Sequence, residues 1–488
     1  MKNLRPVLLA GLVMVMACAG PEKEAPLKPA FSQEIKTGWT FGLGKPEHGL
    51  RVDYEQKPKT DTLVSLPHRI NRPNWPFWYE QTFHFPEDVY LFANGDDGVQ
   101  CFLNGELQEP ILGEYFQIPA AMDSTVVTLR VLNNAMKGGL RQVALIQPED
   151  FDQYLRERDL QRLRQQLRFL AKRHAADLEE TQRKAIKEAL QDTASTQIRA
   201  LIDNFPALKM PLLDARLQLQ SNQSAFSFTA WGDSQGGWDT FAKLVPHMAA
   251  WPDSFSIGLG DLVAHGIDET QWLSFTQCLQ PLLDRQLIFP IVGNHDYDGY
   301  YNDLDPLLYK HYVLGDSTQN TYLWWTYQGA YFLALDPNET FPLGIEGAQR
   351  TWLDDRLNSP EWQSANWRFI LIHQPPYSQG WPDYHGDDFI REIVDSLAET
   401  RQIDFVLSGH SHDYERLTKT YGNQQTHFFI LGGAGGGLEP PQSSDFPEMD
   451  TIIKKHHYAR FEVAPERVTV SVYGLENELL DRWQGEKK

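Results

Sequence analysis

The sequence predicts an α/β region that is preceded by an all-β region and a helical connector. Three observations predict this order. Short β-rich runs separated by turn residues fill residues 35–148, residues 149–205 contain neither Gly nor Pro, and apolar strands alternate with helical segments in residues 221–475. Because a chain of 488 residues is longer than the usual length of a domain with one hydrophobic core, we expect these stretches to be separate domains.

The first residues have the pattern of a targeting segment. A short basic start precedes the apolar residues 7–17, which are too few to span a bilayer, and Cys18 follows. The preceding Val-Met-Ala makes this site resemble a bacterial lipobox, which implies a lipidated Cys18. We therefore expect a signal peptide over residues 1–17, a lipid-anchored tether over residues 18–34, and a location in the bacterial cell envelope, on the periplasmic or the cell-surface face. An ordinary secretory signal is the alternative.

Residues 35–148 have the pattern of a β-sandwich. Strand-like runs such as residues 78–85 and 126–131 are separated by turn dipeptides, of which Asn94-Gly95 and Asn104-Gly105 are examples. The region weakly resembles galactose-binding-like jelly-roll modules that are attached to glycosidases. That resemblance implies either glycan contact or simple packing against the neighbouring domain.

The Gly- and Pro-free residues 149–205 are predicted to be helical. Leu160, Leu163, Leu167 and Leu170 recur at helical spacing. We expect this connector to pack within the chain, and a partner-binding coiled coil is the alternative.

Polar motifs follow five apolar strands of the α/β region. Ligands of such sheets bind outside the carboxyl ends of the strands, so these motifs are expected to converge on one cleft. Asp, Asn and His supply oxygen and imidazole donors that suit Zn, Mn or Fe, and the motifs contain no Cys. The sequence therefore predicts metal binding, with two metals expected. The motifs contain Asp233, Asp261, Asn294 with His295, His373, and His410 with His412.

The order of these motifs resembles the calcineurin-like metallophosphoesterase superfamily. The last motif, His-Ser-His-Asp-Tyr-Glu-Arg over residues 410–416, resembles the GHxHxYER signature of purple acid phosphatases. The resemblance implies a metallophosphoesterase β-sandwich flanked by helices. It also implies an acid phosphatase-like hydrolase in which a bimetal-activated hydroxide attacks the phosphate ester.

The resemblance also implies a role for each site residue. His295 would be the catalytic acid that protonates the leaving oxygen, and His385 would contact the substrate, although a surface histidine is the alternative for His385. Two divalent metal ions, Fe, Mn or Zn, are implied as cofactors. The first metal would be bound by Asp233, Asp261 and His412, and the second by Asp261, Asn294, His373 and His410.

Two positions depart from the family patterns. Gln235 occupies the place of a metal-binding histidine, so either its amide oxygen binds the first metal or it lies outside the coordination shell. Ala264 occupies the place of the tyrosine that gives purple acid phosphatases their colour. We therefore expect a divalent pair and a colourless protein.

The charge balance limits the class of ligand. With 44 Lys and Arg against 65 Asp and Glu, the formal net charge is −21, which argues against binding a nucleic-acid polymer through surface charge. Bound dications reverse the field locally, so a small phosphate ester remains a suitable substrate. The expected function is a secreted, lipid-anchored phosphoesterase whose only membrane contact is the anchor. Alternatives are a phosphodiesterase or nucleotide pyrophosphatase on the same site, or a glycan-binding lipoprotein with an inactive phosphatase-like domain.

Overall fold

The structure is a computed structural model of the chain. The predicted signal peptide, the lipidation site Cys18 and most of the tether lie outside the described residues. Among the residues that are described, no helix combines the length and the apolar character needed to cross a membrane. The described residues are 27–44, 54–72, 75–95, 98–108, 110–111, 114–133, 137–175, 177–191, 195–205, 225–297, 306–315, 320–339 and 344–487.

The N-terminal region is all-β, as the sequence predicts. Alternating burial along its strands places Trp39, Phe77 and Leu129 in one apolar core between two sheets. The strands are β1 Gln33–Glu34, β2 Trp39–Leu43, β3 Thr62–Val64, β4 His68–Asn71, β5 Trp75–Phe83, β6 Val89–Asn94, β7 Val99–Leu103, β8 Glu106–Gln108, β9 Tyr115–Ile118, β10 Thr125–Asn133, β11 Lys137–Leu140 and β12 Gln142–Ile146.

Antiparallel pairing builds this region. One sheet has the strand order β1-β12-β6-β9, and the other has the order β3-β2-β5-β10-β7-β8. The long strands β5 and β10 pair over nine residues, from Thr125 opposite Phe83 to Asn133 opposite Trp75. A two-stranded sheet of β4 and β11 lies beside them. The Nδ2 amide of Asn71 in β4 donates to the carboxylate of Asp383, so this small sheet contacts the α/β region.

Three helices connect the two regions: α1 Pro148–Arg173, α2 Glu180–Ala189 and α3 Ser195–Ile202. Helix α1 begins at a proline with Glu149 and Asp150 in its first turn, which suits the positive end of the helix dipole. The buried Leu163 and Leu167 pack against Ile198 of α3. The described leucine face of the connector is therefore covered by the chain itself.

The α/β region contains the remaining strands and helices. The strands are β13 Phe226–Trp231, β14 Phe255–Leu259, β15 Leu287–Ile291, β16 Leu323–Tyr327, β17 Ala330–Leu335, β18 Trp367–Ile372, β19 Phe405–Ser408, β20 Tyr414–Tyr421, β21 Gln424–Leu431, β22 Thr451–Ile453, β23 His457–Ala464, β24 Arg467–Gly474 and β25 Leu479–Glu486. The helices are α4 Trp238–Ala250, α5 Glu269–Leu283, α6 Leu307–Tyr309, α7 Gly347–Leu357, α8 Pro360–Ser364 and α9 Asp388–Arg401.

Two mixed sheets face each other in this region. Their orders are β15-β14-β13-β23-β24-β25 and β16-β17-β18-β19-β21-β20-β22. Strands β13 to β15 run parallel, as do β17, β18, β19 and β21, so their carboxyl ends share one edge. Aromatic side chains such as Phe228, Phe332 and Phe369 fill the space between the sheets. Helices α4 and α5 cover one outer face and α7 to α9 cover the other, which confirms the predicted β-sandwich flanked by helices.

The α/β region extends beyond its predicted end at residue 475. Strand β25 pairs antiparallel with β24 from Arg467 opposite Glu486 to Tyr473 opposite Leu479. Its residues are largely exposed or half-buried, and Trp483 packs against the core between the sheets. An edge strand with this polar composition lacks the apolar run that marked the other strands.

Candidate active site

Polar residues that follow five strands meet at one end of the sandwich. Asp233 follows β13, Asp261 follows β14, and Asn294 follows β15 in a short helical turn. His373 follows β18, and the segment with His410 and His412 follows β19. The structure thus brings together the side chains that the sequence places at strand ends, as expected for parallel strands that share one edge.

The backbone is bent sharply at three of these residues. Asp233, Asp261 and His410 have φ values of 60°, 51° and 70°, in the left-handed region that non-glycine residues rarely adopt. Each such residue costs about 1–3 kcal/mol, and such strain is characteristic of functional sites. The adjoining chain must also be small, since a Cβ on Gly293 would lie 2.3 Å from Asp261 Oδ1.

Asp261, His373 and His410 form a compact buried group. Their ligand atoms all lie within 4.8 Å of one another, and their side chains are almost fully buried. His373 Nε2 lies 3.2 Å from Asp261 Oδ2. Asn294 joins the group, because its Oδ1 lies 3.1 Å from His410 Nδ1. These are the four residues for which the sequence resemblance implies the second metal.

Hydrogen bonds from Nδ1 to backbone carbonyls turn Nε2 of two histidines toward the carboxylates of the cluster. His373 Nδ1–H donates to the carbonyl of Leu259 at 2.6 Å, and His412 Nδ1–H donates to the carbonyl of Gly437 at 2.7 Å. Metal-binding histidines characteristically donate their second ring N–H in this way. Within the described part of the chain, buried His373 Nε2 has no hydrogen-bond partner, although Asp261 faces it. An imidazole nitrogen and a carboxylate oxygen that face each other at this distance fit a shared cation, so the residues present fit a metal ion.

The charges of the cluster favour positive charge at the same place. Burial lowers the pKa of His373, but the carboxylates of Asp261 and Asp233 outweigh it and raise that pKa to about 10. Burial also lowers the pKa of His412, but the hydrogen bond with Asp233 outweighs burial and raises that pKa to about 9. Burial and the charge on His373 hold the pKa of His410 well below its usual range. The two buried carboxylates therefore favour a positive charge in the cluster, despite the cost of burying it.

Asp233, His412 and Gln235 form a second polar group in the site. Asp233 accepts the backbone N–H of His410 at 3.0 and 2.9 Å, and His412 Nε2 lies 3.5 Å from Asp233 Oδ1. Gln235 Nε2 lies 3.2 Å from Asp261 Oδ2 and 3.1 Å from His412 Nε2. The amide nitrogen of Gln235, rather than its oxygen, thus faces the ligand atoms. Coordination by its oxygen requires a rotation of the amide and stays a prediction.

His295 lies at the half-exposed rim of the cluster. Its backbone N–H donates to Asp261 Oδ1 at 2.9 Å, and its Nδ1 lies 3.0 Å from the carbonyl of Ala264. The contact with Ala264 fixes the orientation of the His295 ring. The position beside Asn294 suits the role of leaving-group acid that the sequence predicts.

His385 is placed at the rim but is engaged by a neighbouring loop. Its Nδ1 bonds the carbonyl of Phe446 and lies 3.0 Å from Ser444 Oγ. Gln379 strengthens the same connection, since its backbone carbonyl accepts the N–H of Ser444 at 2.7 Å. In this structure His385 therefore joins two loops, and its contact with a substrate stays a prediction.

Asp296 supports the cluster in a way that the sequence analysis did not assign. Its Oδ1 accepts the backbone N–H groups of Leu262 and Val263 at 2.8 and 3.1 Å, and its Oδ2 accepts that of Gly293 at 2.8 Å. The carboxylate thus ties the loop after Asp261 to the loop before Asn294. Its place in the Gly-Asn-His-Asp motif was visible in the sequence, but these backbone partners were not.

Comparisons with known proteins show similarity to phosphoesterases. Residues 226–414 match the family model for calcineurin-like phosphoesterases. The chain is 26% identical over 191 residues to purple acid phosphatase 22 of Arabidopsis thaliana, which covers 37% of this chain and 43% of that protein. It is 23% identical over 214 residues to the probable purple acid phosphatase 20 of the same plant, which covers 40% and 48%. The matched segments thus span less than half of these relatives.

Solved structures with a similar chain path include purple acid phosphatase PPD1 from seeds of yellow lupin (Lupinus luteus). It aligns with 88% of this chain and 77% of its own, at 11% identity and a TM-score of 0.46. A structure of PhoD aligns with 94% of this chain and 90% of its own, at 10% identity and a TM-score of 0.43.

The polar cluster lies within residues 226–414, the stretch that matches the model of the calcineurin-like phosphoesterase domain. The chain is also similar to purple acid phosphatases. The cofactor that fits such a domain is a dinuclear centre of Fe, Mn or Zn, and the buried Asp and His cluster supplies suitable donors.

Proposed function

We propose that the protein is a metal-dependent phosphoesterase that hydrolyses phosphate monoesters of small molecules. The observation that carries the proposal is His373, whose Nδ1–H is fixed by Leu259 and whose Nε2 faces Asp261 at 3.2 Å without a hydrogen-bond partner among the described residues. A buried site with this donor set fits divalent metal ions better than any side-chain partner.

The site residues would have separate roles in hydrolysis. Asp233 and His412 would hold the first metal, Asn294, His373 and His410 would hold the second, and Asp261 would be shared by both groups. Two bound metals supply Lewis acidity and a nucleophile at neutral pH. Asp261 also orients the rim, because it accepts the backbone N–H of His295. His295 would then hold a proton at Nε2 for the leaving oxygen.

The same proposal includes a location. The pattern that ends at Cys18 supports export and lipid anchoring, so the enzyme would act at the bacterial cell envelope. Detergent phase partitioning of the protein from intact cells checks this. The protein should enter the detergent phase, and Cys18→Ala should leave it in the aqueous phase; equal partitioning of both would contradict lipid anchoring.

A substrate panel with matched variants tests the activity. Purified protein loaded with Mn²⁺, Zn²⁺ or Fe²⁺ should hydrolyse p-nitrophenyl phosphate faster than bis(p-nitrophenyl) phosphate or adenosine triphosphate. Asp261→Asn should reduce kcat/KM by about 10³-fold, because it removes the charge shared by both ligand groups. Asp253→Asn is the control, since Asp253 is a buried carboxylate that binds Ser227 and Arg460 at the opposite end of β14.

The outcomes distinguish the alternatives. Faster hydrolysis of the diester or the triphosphate would favour a phosphodiesterase or a nucleotide pyrophosphatase. A metal-loaded protein that hydrolyses none of the three would overturn the proposal, and polysaccharide binding by it would then favour the glycan-binding lipoprotein. Activity that survives Asp261→Asn would refute the assigned site.

A further inference from the structure

Two aromatic rings of the loop before α9 pack on a residue of the proposed second metal group. The ring centroids of Trp381 and Tyr384 lie 5.5 and 5.6 Å from that of His410, and 5.1 Å from each other. Tyr384 is buried at 1% exposure, whereas Trp381 is half-buried. Trp381 therefore provides the accessible surface of this aromatic pair.

The indole N–H of Trp381 is a buried hydrogen-bond donor. Its Nε1 is shielded from solvent and has no hydrogen-bond partner among the residues described. A buried donor left in this state is destabilising, so a fold retains one where a ligand or another group supplies the acceptor. Packing alone would be served equally well by an apolar ring.

The aromatic pair is linked to the proposed leaving-group acid through His410 and Asn294. His410 contacts Trp381 through its ring and Asn294 through Nδ1, and His295 is the residue that follows Asn294. Trp381 is thus next to this His410–Asn294 pair by ring contact, and the proposed leaving-group acid His295 is next to it in the chain. A leaving group that receives its proton from His295 would come close to the indole.

The charges of this rim disfavour a second phosphate group. Two cations here are engaged by backbone carbonyls: Lys454 Nζ bonds those of Gly380, Pro440 and Gln442, and Arg391 bonds those of Pro376 and His385. The loop before α9 contributes the acidic residues Asp383 and Asp387, and Asp388 begins the helix. An uncharged ring suits this rim, and a polyphosphate chain does not.

We propose that Trp381, supported by Tyr384, is a specificity-determining residue that binds a flat aromatic ring on the leaving group. This inference rests on the proposed function and narrows its substrate class to monoesters that carry such a ring. The ring could belong to an aryl alcohol or to a nucleoside, and both offer the same stacking surface. Stacking of a base on an aromatic side chain contributes about 1–3 kcal/mol, which corresponds to about 5–150-fold in kcat/KM.

Steady-state kinetics of paired variants test the inference. Metal-loaded wild type, Trp381→Leu and Trp381→Phe are compared on phenyl phosphate, adenosine monophosphate and glycerol 2-phosphate. Trp381→Leu keeps apolar bulk but no ring, and should lower kcat/KM at least about 5-fold on one or both ring substrates while glycerol 2-phosphate changes less than about 2-fold. Trp381→Phe keeps the ring and should retain most of the activity. Trp324→Leu is the control. Trp324 lies in β16, the edge strand of the sheet opposite the edge formed by β22, and it stacks on Tyr331 of β17.

Each outcome decides a separate question. A selective loss on phenyl phosphate alone assigns an aryl ester, and a selective loss on adenosine monophosphate assigns a nucleoside. An equal loss on all three substrates, or no loss, would overturn the inference even if Trp381→Leu is less stable, because the ratio between substrates is unaffected by the folded fraction. A wild type that hydrolyses none of the three would instead refute the proposed function.

Discussion

The N-terminal β-sandwich and the α/β region both bury polar side chains, but these side chains have different kinds of partner. In the sandwich, buried Arg130 donates to Gln100 Oε1 at 3.0 Å and lies over the ring of Trp78. In the α/β region, the buried Asp233 and Asp261 face Nε2 of His412 and His373, a donor set that fits a cation. The difference teaches that polar burial alone does not mark a site: a complementary donor and acceptor stabilise a fold, whereas a buried group of carboxylates and histidines has the donor set of a metal site.

Removing the Asp296 carboxylate should separate these two uses of polar burial most clearly. Asp296→Ala should weaken metal binding about 10–100-fold, because the loops that carry Asp261 and Asn294 lose their shared backbone acceptor. Isothermal titration calorimetry with the metal ion measures this affinity. Asp404→Ala is the matched control, since Asp404 accepts the backbone N–H of Arg368 at 2.8 Å from the opposite end of β19.

That control should lose stability and keep its metal affinity. Asp296→Glu should recover part of the affinity if the carboxylate acts by positioning the loops. Equal metal affinities in wild type and Asp296→Ala would contradict the positioning role.

A smaller effect is expected in the sandwich. Arg130→Met should lower the free energy of unfolding by about 1–3 kcal/mol, because Gln100 Oε1 loses this buried donor, while the metal content and kcat/KM of the folded protein stay unchanged. Denaturant unfolding and activity assays measure the two quantities. The double variant Arg130→Met with Gln100→Leu should recover part of the loss, since replacing both partners by apolar groups is nearly neutral. A change in kcat/KM would show that the sandwich contributes to the site.

The sequence predicted the order of regions and the five strand ends because both depend on local patterns. Asp233, Asp261 and His373 each follow a continuous apolar strand, and parallel strands bring such ends together without further information. The family resemblance added the division of these residues between two metals. It could not add which way the amide of Gln235 is turned.

The contacts that escaped prediction join residues that are distant in the chain. The bond of His385 to the carbonyl of Phe446 and that of His373 to Leu259 use backbone carbonyls, which leave no trace in side-chain composition. Strand β25 was missed for a related reason, because an edge strand with a polar outer face has only weak apolar alternation. Packing decides these features, and local pattern does not.

The most direct test of the dinuclear site is the number of metal ions bound per chain. Elemental analysis of protein that has been reconstituted with Mn²⁺ or Zn²⁺ and dialysed should give about two metal ions per wild-type chain, and clearly fewer for Asp261→Asn. A wild type that retains no metal, or an Asp261→Asn variant that retains as much as the wild type, would contradict the account.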